Sequence, residues 1–406
     1  MKRIICIALI FVCSLVFTSG ELVAQDFEGF DSATLPPVTN TLGDWGLKIV
    51  IMKVGQADAI LVMTPNGDTC LIDSGKNKSH GNQIADFLSS KTVNGVGNIK
   101  TVDLLYTTHY DLDHIGGLPQ LAKRGISIRK AFDQGLSKKR LVTTAAGRRS
   151  PYSEYVAMVG DSNDNMRQDL DEPNFVRHRM HYGHVEHIGL EDQVEIRCVS
   201  VHGDTEGSAY DYDINPADKV DFDENPGSIA LLIRLGEFEF YAAGDQTDDD
   251  WKNHDSAGNP MKPVEEAVLD SGAIVGGNDI DVIKVSHHGS DSSTSKALAK
   301  KMIPEVAIIS TEFVKGQNLP KKIVLKQFQD NRCYVLITGD GKDPSTQNYS
   351  DSAGTHEDDD FVVLNTAVFN DQGNVMVLVS SDGSRYTVIG SSFDKTFSAR
   401  DADNRR

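Results

Sequence analysis

Residues 107–117 read T-T-H-Y-D-L-D-H-I-G-G. His109, Asp111, Asp113 and His114 stand together there, directly after the apolar run Val102–Tyr106. A short continuous apolar run bounded by polar residues predicts a buried strand. Four ionisable groups are then carried at the end of a rigid support, where they repel one another or lose solvation unless something neutralises them. Carboxylates and neutral imidazoles are the donors that a divalent metal takes. The plainer reading is a polar loop in which Asp113 caps the helix after His114. One His and one Asp would suit that reading; His-x-Asp-x-Asp-His before Gly116-Gly117 favours a metal.

Working outward, three more apolar runs end in residues of the same type. L-I-D-S-G ends in Asp73, F-Y-A-A-G-D in Asp245, and D-V-I-K-V-S-H-H-G-S in His287 and His288. Singly, each is turn chemistry. Four such termini in one chain argue for a shared rim. Leu47–Val54, Ala59–Thr64 and Thr69–Asp73 read as strands, the last two joined as a hairpin across Asn66-Gly67. Gly81–Ser90 has helical spacing, and a short helix is expected over Leu118–Arg124. Residues 125–185 carry little pattern beyond a helical Tyr152–Val159. His178, His181, His184 and His187 recur at a period matching neither a strand face nor a ligand set, which predicts solvent-exposed histidines. Strands follow at Val194–Val201, Ser228–Leu235 and Phe238–Ala243, and then a polar insertion at 248–278. Beyond it come strand, helix, strand, helix, strand over Asp281–Ser286, Ser293–Lys301, Val306–Ser310, Lys321–Gln329 and Tyr334–Thr338. Phe361–Phe369 and Val375–Val379 read as a late hairpin across Asp371-Gln372-Gly373. A β-rich half followed by strand–helix alternation predicts a layered α/β protein with helices outside the sheets.

Taken together, V-G-Q-A-D-A-I-L, L-I-D-S-G, T-H-Y-D-L-D-H-I-G-G, N-P-G-S-I-A-L-L-I, A-A-G-D, H-H-G-S and E-V-A-I-I-S resemble the metallo-β-lactamase superfamily. The resemblance covers roughly residues 46–340. Its nearest branch is the metallo-hydrolase domain of ComEC-type competence proteins, and no part of this sequence resembles that branch's membrane channel. The resemblance implies a four-layer αββα sandwich, here with a C-terminal β-hairpin addition. It implies two divalent metal ions: His109 and Asp111 on one, Asp113, His114 and His288 on the other, and Asp245 between them. Asp73 would hydrogen-bond the ligand loop from behind. His202, or else Asn225 and Ser228, would complete the shell. Asp113 and His287 would serve as catalytic groups, His287 facing the substrate. Asp111 stands where most of the superfamily has His; the added carboxylate hardens the site, so manganese or iron competes better with zinc.

Composition narrows the rest. The chain is 39% apolar and 24% charged over 406 residues, ample for a large core. Lys2 and Arg3 precede an apolar Ile4–Phe17 and then small and polar residues, the layout of a signal peptide over residues 1–25. Its removal takes Lys2, Arg3 and Glu21 away and moves the formal net charge from −19 to −20. A chain that acidic is no general polyanion binder. The basic stretch Lys123–Arg149 is the exception, and Lys138, Lys139, Arg140, Arg148 and Arg149 are candidate contacts for an anionic substrate. The expected layout is a linker at 26–45, a hydrolase domain at 46–340, an acidic loop and hairpin extension at 341–395 and a disordered tail at 396–406. The expected function is a secreted or periplasmic metal-dependent phosphodiesterase or nuclease. A choline-phosphate esterase is the alternative, with Trp45, Tyr152, Tyr155 and Trp251 as a possible aromatic cage. A metal-stabilised binding module without catalysis is the third reading. No protein partner is implied.

Overall fold

The computed structural model describes residues 45–90, 98–135, 150–159, 176–201, 224–247, 264–270, 274, 280–351 and 367–399. The expected signal peptide, the linker up to residue 44, His202, the five basic candidates between 138 and 149, Trp251 and the tail from residue 400 lie outside these residues.

In chain order the first strands are β1 (Trp45–Ile51), β2 (Ile60–Met63), β3 (Thr69–Ile72), β4 (Thr101–Tyr106), β5 (Ser127–Asp133) and β6 (Arg177–Arg179). Next come β7 (Val185–Ile188), β8 (Val194–Ser200), β9 (Ala230–Leu235), β10 (Phe238–Ala242), β11 (Val282–Lys284), β12 (Val306–Ile309) and β13 (Tyr334–Ile337). The last are β14 (Val368–Phe369), β15 (Val375–Ser380), β16 (Arg385–Ile389) and β17 (Asp394–Ser398). Among the described residues they form two sheets, ordered β17-β16-β15-β1-β2-β3-β4-β5-β6 and β14-β13-β12-β11-β10-β9-β8-β7.

Alternation along the strands sorts side chains into layers. Leu47, Ile49 and Ile51 of β1 join Leu231 and Ile233 of β9 and Phe240 of β10 in one core between the sheets. Val50 and Met52 face the other way, onto Ile84, Phe87 and Leu88 of the helix Lys78–Ser89 and onto Tyr152 and Tyr155 of the helix Pro151–Met158. Behind the second sheet, Leu232, Ile283 and Ile309 pack on Leu298 and Met302 of the helix Lys296–Met302 and on Leu325 and Phe328 of the helix Lys322–Asp330. Helix, sheet, sheet, helix is the four-layer sandwich expected.

The C-terminal addition differs in its pairing. β14 runs parallel to β13 in the second sheet, whereas β15 runs antiparallel to β1 in the first. The turn at Asp371-Gln372-Gly373 therefore carries the chain from one sheet to the other instead of closing a hairpin. The hairpin lies further on, β15 with β16, and β17 extends it. Thr396–Ser398, expected in a disordered tail, are strand residues of β17, paired to Arg385–Thr387. Strands from beyond residue 340 thus belong to both sheets, and one of them is the neighbour of β1 within the larger sheet.

Candidate metal centre

Strands β3, β4 and β5 run parallel, as do β10, β11, β12 and β13. The loops that leave the C-terminal ends of β3, β4, β10 and β11 meet at one rim. Asp73, His109–His114, Asp245 and His287–His288 arrive from these four ends.

His114 Nε2 lies 3.3 Å from Asp245 Oδ2, and His288 Nε2 lies 3.5 Å from the same oxygen. His287 Nε2 is 3.9 Å from it. Asp113 Oδ2 faces His288 Nε2 across 3.8 Å, and Asp111 Oδ2 faces His109 Nε2 across 3.8 Å. His109, His114 and His288 are buried, while Asp111 is 46% exposed and Asp113 22%. Among the described residues, His109 with His114 and Asp245, and Asp113 with His114 and His288, form sets with ligand atoms close enough for one ion. The capping role considered for Asp113 is not what forms: the one-turn helix Leu112–Ile115 has Asp111 at its cap position without a side-chain cap bond, and Asp113 lies inside the turn.

Groups behind the donors fix their orientation. Asp73 accepts from the Thr108 backbone N–H (2.9 Å), the Thr108 hydroxyl (2.7 Å) and His114 Nδ1 (2.7 Å), which aims His114 Nε2 at Asp245. His288 Nδ1 donates to the Ser310 carbonyl (2.8 Å) and so turns Nε2 inward. Ser228 Oγ lies 3.3 Å from His109 Nδ1 and accepts from the Asp245 backbone N–H, so it tethers ligands and supplies none at that distance. Asn225 Nδ2 stands 3.5 Å from His287 Nε2. Gly116 and Gly117 have ordinary negative φ; their role is close approach. A Cβ at either would stand 2.0 Å from a backbone oxygen, that of Lys76 or Ser74. The loop after β3 therefore seats against the ligand loop only because those positions lack side chains.

The charge balance follows from this packing. Burial alone would lower the His114 pKa, but Asp245 and Asp73 on its two sides hold it well above the usual value. Burial would raise Asp245, yet His288, His114 and His287 draw it well below the carboxylate range. Burial raises Asp73, and His114 offsets this only in part. Asp245 Oδ1 and His288 Nε2 are buried and make no hydrogen bond. A buried polar atom left unmet costs about 1–3 kcal/mol. Inward-facing imidazole and carboxylate atoms with nothing to satisfy them are what a divalent cation fits.

Residues 52–128 match the family model described as the Metallo-beta-lactamase superfamily. That span contains Asp73 and the His109–His114 cluster; Asp245 and the histidine pair lie beyond it. The chain is 23% identical over 324 residues to ComE operon protein 3 of Bacillus subtilis (strain 168), covering 76% of this chain and 34% of that protein. It thus spans about a third of that relative's length. Among solved structures, the diiron β-hydroxylase CmlA of Streptomyces venezuelae is 12% identical, with TM-score 0.37, over 71% of this chain and 52% of that one. A metallo-beta-lactamase of Cronobacter sakazakii with a HARLDQ motif is 15% identical, with TM-score 0.31, over 58% and 76%. Among the described residues no helix is long and apolar enough to cross a membrane.

Other expected residues fall elsewhere in the sandwich. Tyr152 and Tyr155 cannot cage a quaternary ammonium: both are buried, and the Arg177 guanidinium already stands 6.0 and 5.5 Å from their rings. Tyr155 also donates to Asp133, the partner of Arg177. Trp45 starts β1, at the end of the sheet away from the rim, with Lys48 Nζ 4.5 Å over its ring. In the basic stretch, three of the four described cations already meet acids: Arg124 with Asp86, Arg129 with Asp103 and Lys130 with Glu186. His181 and His187 are exposed as expected, but His178 and His184 are half-buried against Phe132, at 5.4 and 5.0 Å between ring centroids. Strand β5 brings Phe132 there, and the sequence showed no strand at that point.

Sequence reasoning missed Asp58 and Lys284. Both are fully buried, and they pair with each other although 226 residues apart. The available signal was a charged residue inside an apolar run, A-D-A and V-I-K-V, since such residues are almost never buried unless paired.

Proposed function

We propose that the chain is a metal-dependent hydrolase of phosphodiesters, exported by way of residues 1–25. The observation that carries this reading is the convergence of His109, His114, His288, Asp113 and Asp245, with Asp245 Oδ1 and His288 Nε2 unmet. His109 and Asp111 would hold one divalent ion, and Asp113, His114 and His288 the other, with Asp245 between them. The carboxylate share of this set suits zinc, manganese or iron. When bound, such a pair supplies a more acidic water and stabilises charge on attacking and leaving oxygens.

The chain's own groups do the rest. Asp113, like Asp111 a partly exposed carboxylate of the rim, takes up the proton of the attacking water. His287 is 26% exposed, in contrast to buried His288, and faces the substrate side. Asn225 Nδ2 stands 3.5 Å from its Nε2 and Ser292 Oγ 3.5 Å from its Nδ1, contacts that orient the ring. Both histidines have left-handed backbone, φ 47° and 53°. Such conformations cost about 1–3 kcal/mol each for a residue other than glycine. The His287 N–H bond to the Gly244 carbonyl (3.1 Å) helps hold this turn against the Asp245 loop.

The test is turnover of bis-p-nitrophenyl phosphate by residues 26–406, with added manganese or zinc, beside Asp245→Ala. Metal-dependent turnover that is lost in the variant is expected. Bound metal with nitrocefin turnover instead would replace the diester reading with a lactam one. Bound metal with no turnover on any ester would leave a binding module.

A further inference from the structure

Asp58 lies in the loop between β1 and β2, and Lys284 ends β11. Neither belongs to the ligand loops, yet each touches them. Lys284 Nζ donates to Asp58 Oδ2 and stands 3.5 Å from the Gly244 carbonyl, at the turn that delivers Asp245. The Asp58 backbone N–H donates to the Asp113 carbonyl (3.2 Å), and the Asp58 carbonyl accepts from Gly75 N–H (2.6 Å). Asp58 Oδ1 lies 3.7 Å from His288 Nδ1 and makes no hydrogen bond. These two residues thus reach the four loops that carry the donors, those after β3 and β4 through the Asp58 backbone and those after β10 and β11 through the paired side chains.

A buried pair of this kind is poor evidence for stability. Withdrawing both charges from water costs several kcal/mol per ion, and apolar replacements of similar volume are often neutral or better. Something else must account for a lysine at the end of a central strand. The spare oxygen of Asp58 stands beside His288, while the ammonium engages the other oxygen of that carboxylate.

We infer that Asp58 and Lys284 are a positioning pair for the metal centre, setting the relative places of the Asp245 turn, the Asp113 turn and the His288 ring. This rests on the metal-site reading above. Partners that orient metal ligands are worth about 10–100-fold in metal affinity, and that is the effect expected here.

The experiment titrates manganese or zinc into the metal-stripped full-length protein by calorimetry and records thermal unfolding of the same samples. The proteins are the wild type, Asp58→Asn, Lys284→Met and the double variant. Each single change strands a buried charge or its partner and lowers both melting temperature and affinity. The double variant removes both charges, so its melting temperature recovers towards wild type while its affinity stays about 10–100-fold weaker. Wild-type affinity in the double variant would overturn the inference and reduce the pair to packing. Should the double variant not fold, Asp58→Asn decides alone, because it keeps the side-chain volume and both backbone bonds; unchanged affinity there overturns the inference equally. A wild type that binds no metal sinks the metal-site reading itself, a result separable from either.

Discussion

Buried carboxylates at the two ends of the second sheet are shifted in opposite directions. At the C-terminal ends of β10 and β11, Asp245 is held well below the usual carboxylate range despite its burial, because three histidines surround it. At the N-terminal ends of β11 and β12, Asp281 is pushed up to about 8 and Glu305 to about 7, burial being the main cause in both. Asp281 accepts the Glu239 backbone N–H (2.8 Å), and Glu305 accepts the Tyr386 hydroxyl (3.0 Å). Neutral donors leave the desolvation of a carboxylate largely uncompensated, whereas imidazolium neighbours more than compensate it. Histidines at one end of this sheet favour the charged form of Asp245, which a cation site requires; at the other end Asp281 and Glu305 have no such neighbours among the described residues.

The sharpest way to break this contrast is to remove the charge where it is kept. Asp245→Asn should abolish metal retention after dialysis, as read by elemental analysis, since Asp245 contacts three of the histidines. Retention of two ions per chain would mean that Asp245 is not a ligand. The next largest effect is on the fold. Asp133 lies at the end of β5 and is fully engaged: Arg177 Nε donates to it at 2.7 Å, Tyr110 at 2.9 Å and Gly135 N–H at 2.8 Å. Breaking a buried pair by removing one partner costs about 3–5 kcal/mol. Asp133→Asn should lower chemical-denaturation stability by that order while metal stoichiometry stays unchanged, because Tyr110, although it lies in the ligand loop, packs its ring into the helix-side core and is not one of the donors. Equal loss of metal would place this network in the site.

A smaller effect is expected behind the ligands. Asp73→Asn keeps an oxygen for Thr108 but removes the charge beside His114, so metal affinity should fall about 10–100-fold without loss of fold. A calorimetric titration checks it, and affinity within about twofold of wild type would remove Asp73 from that role.

How much of this was legible depended on distance along the chain. The ligand loop was readable because four donors sit in six residues, and the sandwich because its strands alternate. The Asp58–Lys284 pair was not, since each residue alone is an odd charge in an apolar run and their meeting is a property of the two-sheet packing. Asp371-Gln372-Gly373 was read as the turn of a hairpin; Gly373 does have φ 70°, but the flanking strands lie in different sheets. A local turn signal does not say whether the next strand pairs with the last one or crosses to the other sheet. The buried state of Tyr152 and Tyr155 likewise depended on Arg177, which arrives from a strand too short to show a pattern.

The smallest expected effect tests the far end. Asp281 has a folded-state pKa of about 8 against an ordinary value of 3.8. Between those values the unfolded chain has released the proton and the folded chain has kept it, so the unfolded state binds fewer protons. Stability must then fall as pH rises through this window, and level off once the folded-state carboxyl also ionises. The contribution is fully present below about pH 4 and is lost towards about pH 8. One pH unit within the window is worth at most about 1.4 kcal/mol for one group. Asp281→Asn keeps an acceptor for Glu239 N–H and cannot ionise. Its stability should therefore decline less than wild type between about pH 5 and pH 7, by up to about 2.7 kcal/mol. Denaturant titrations at the two pH values measure the difference. Parallel pH dependence in the two proteins would show that Asp281 is ionised in the folded state, and that both ends of the sheet hold their carboxylates charged.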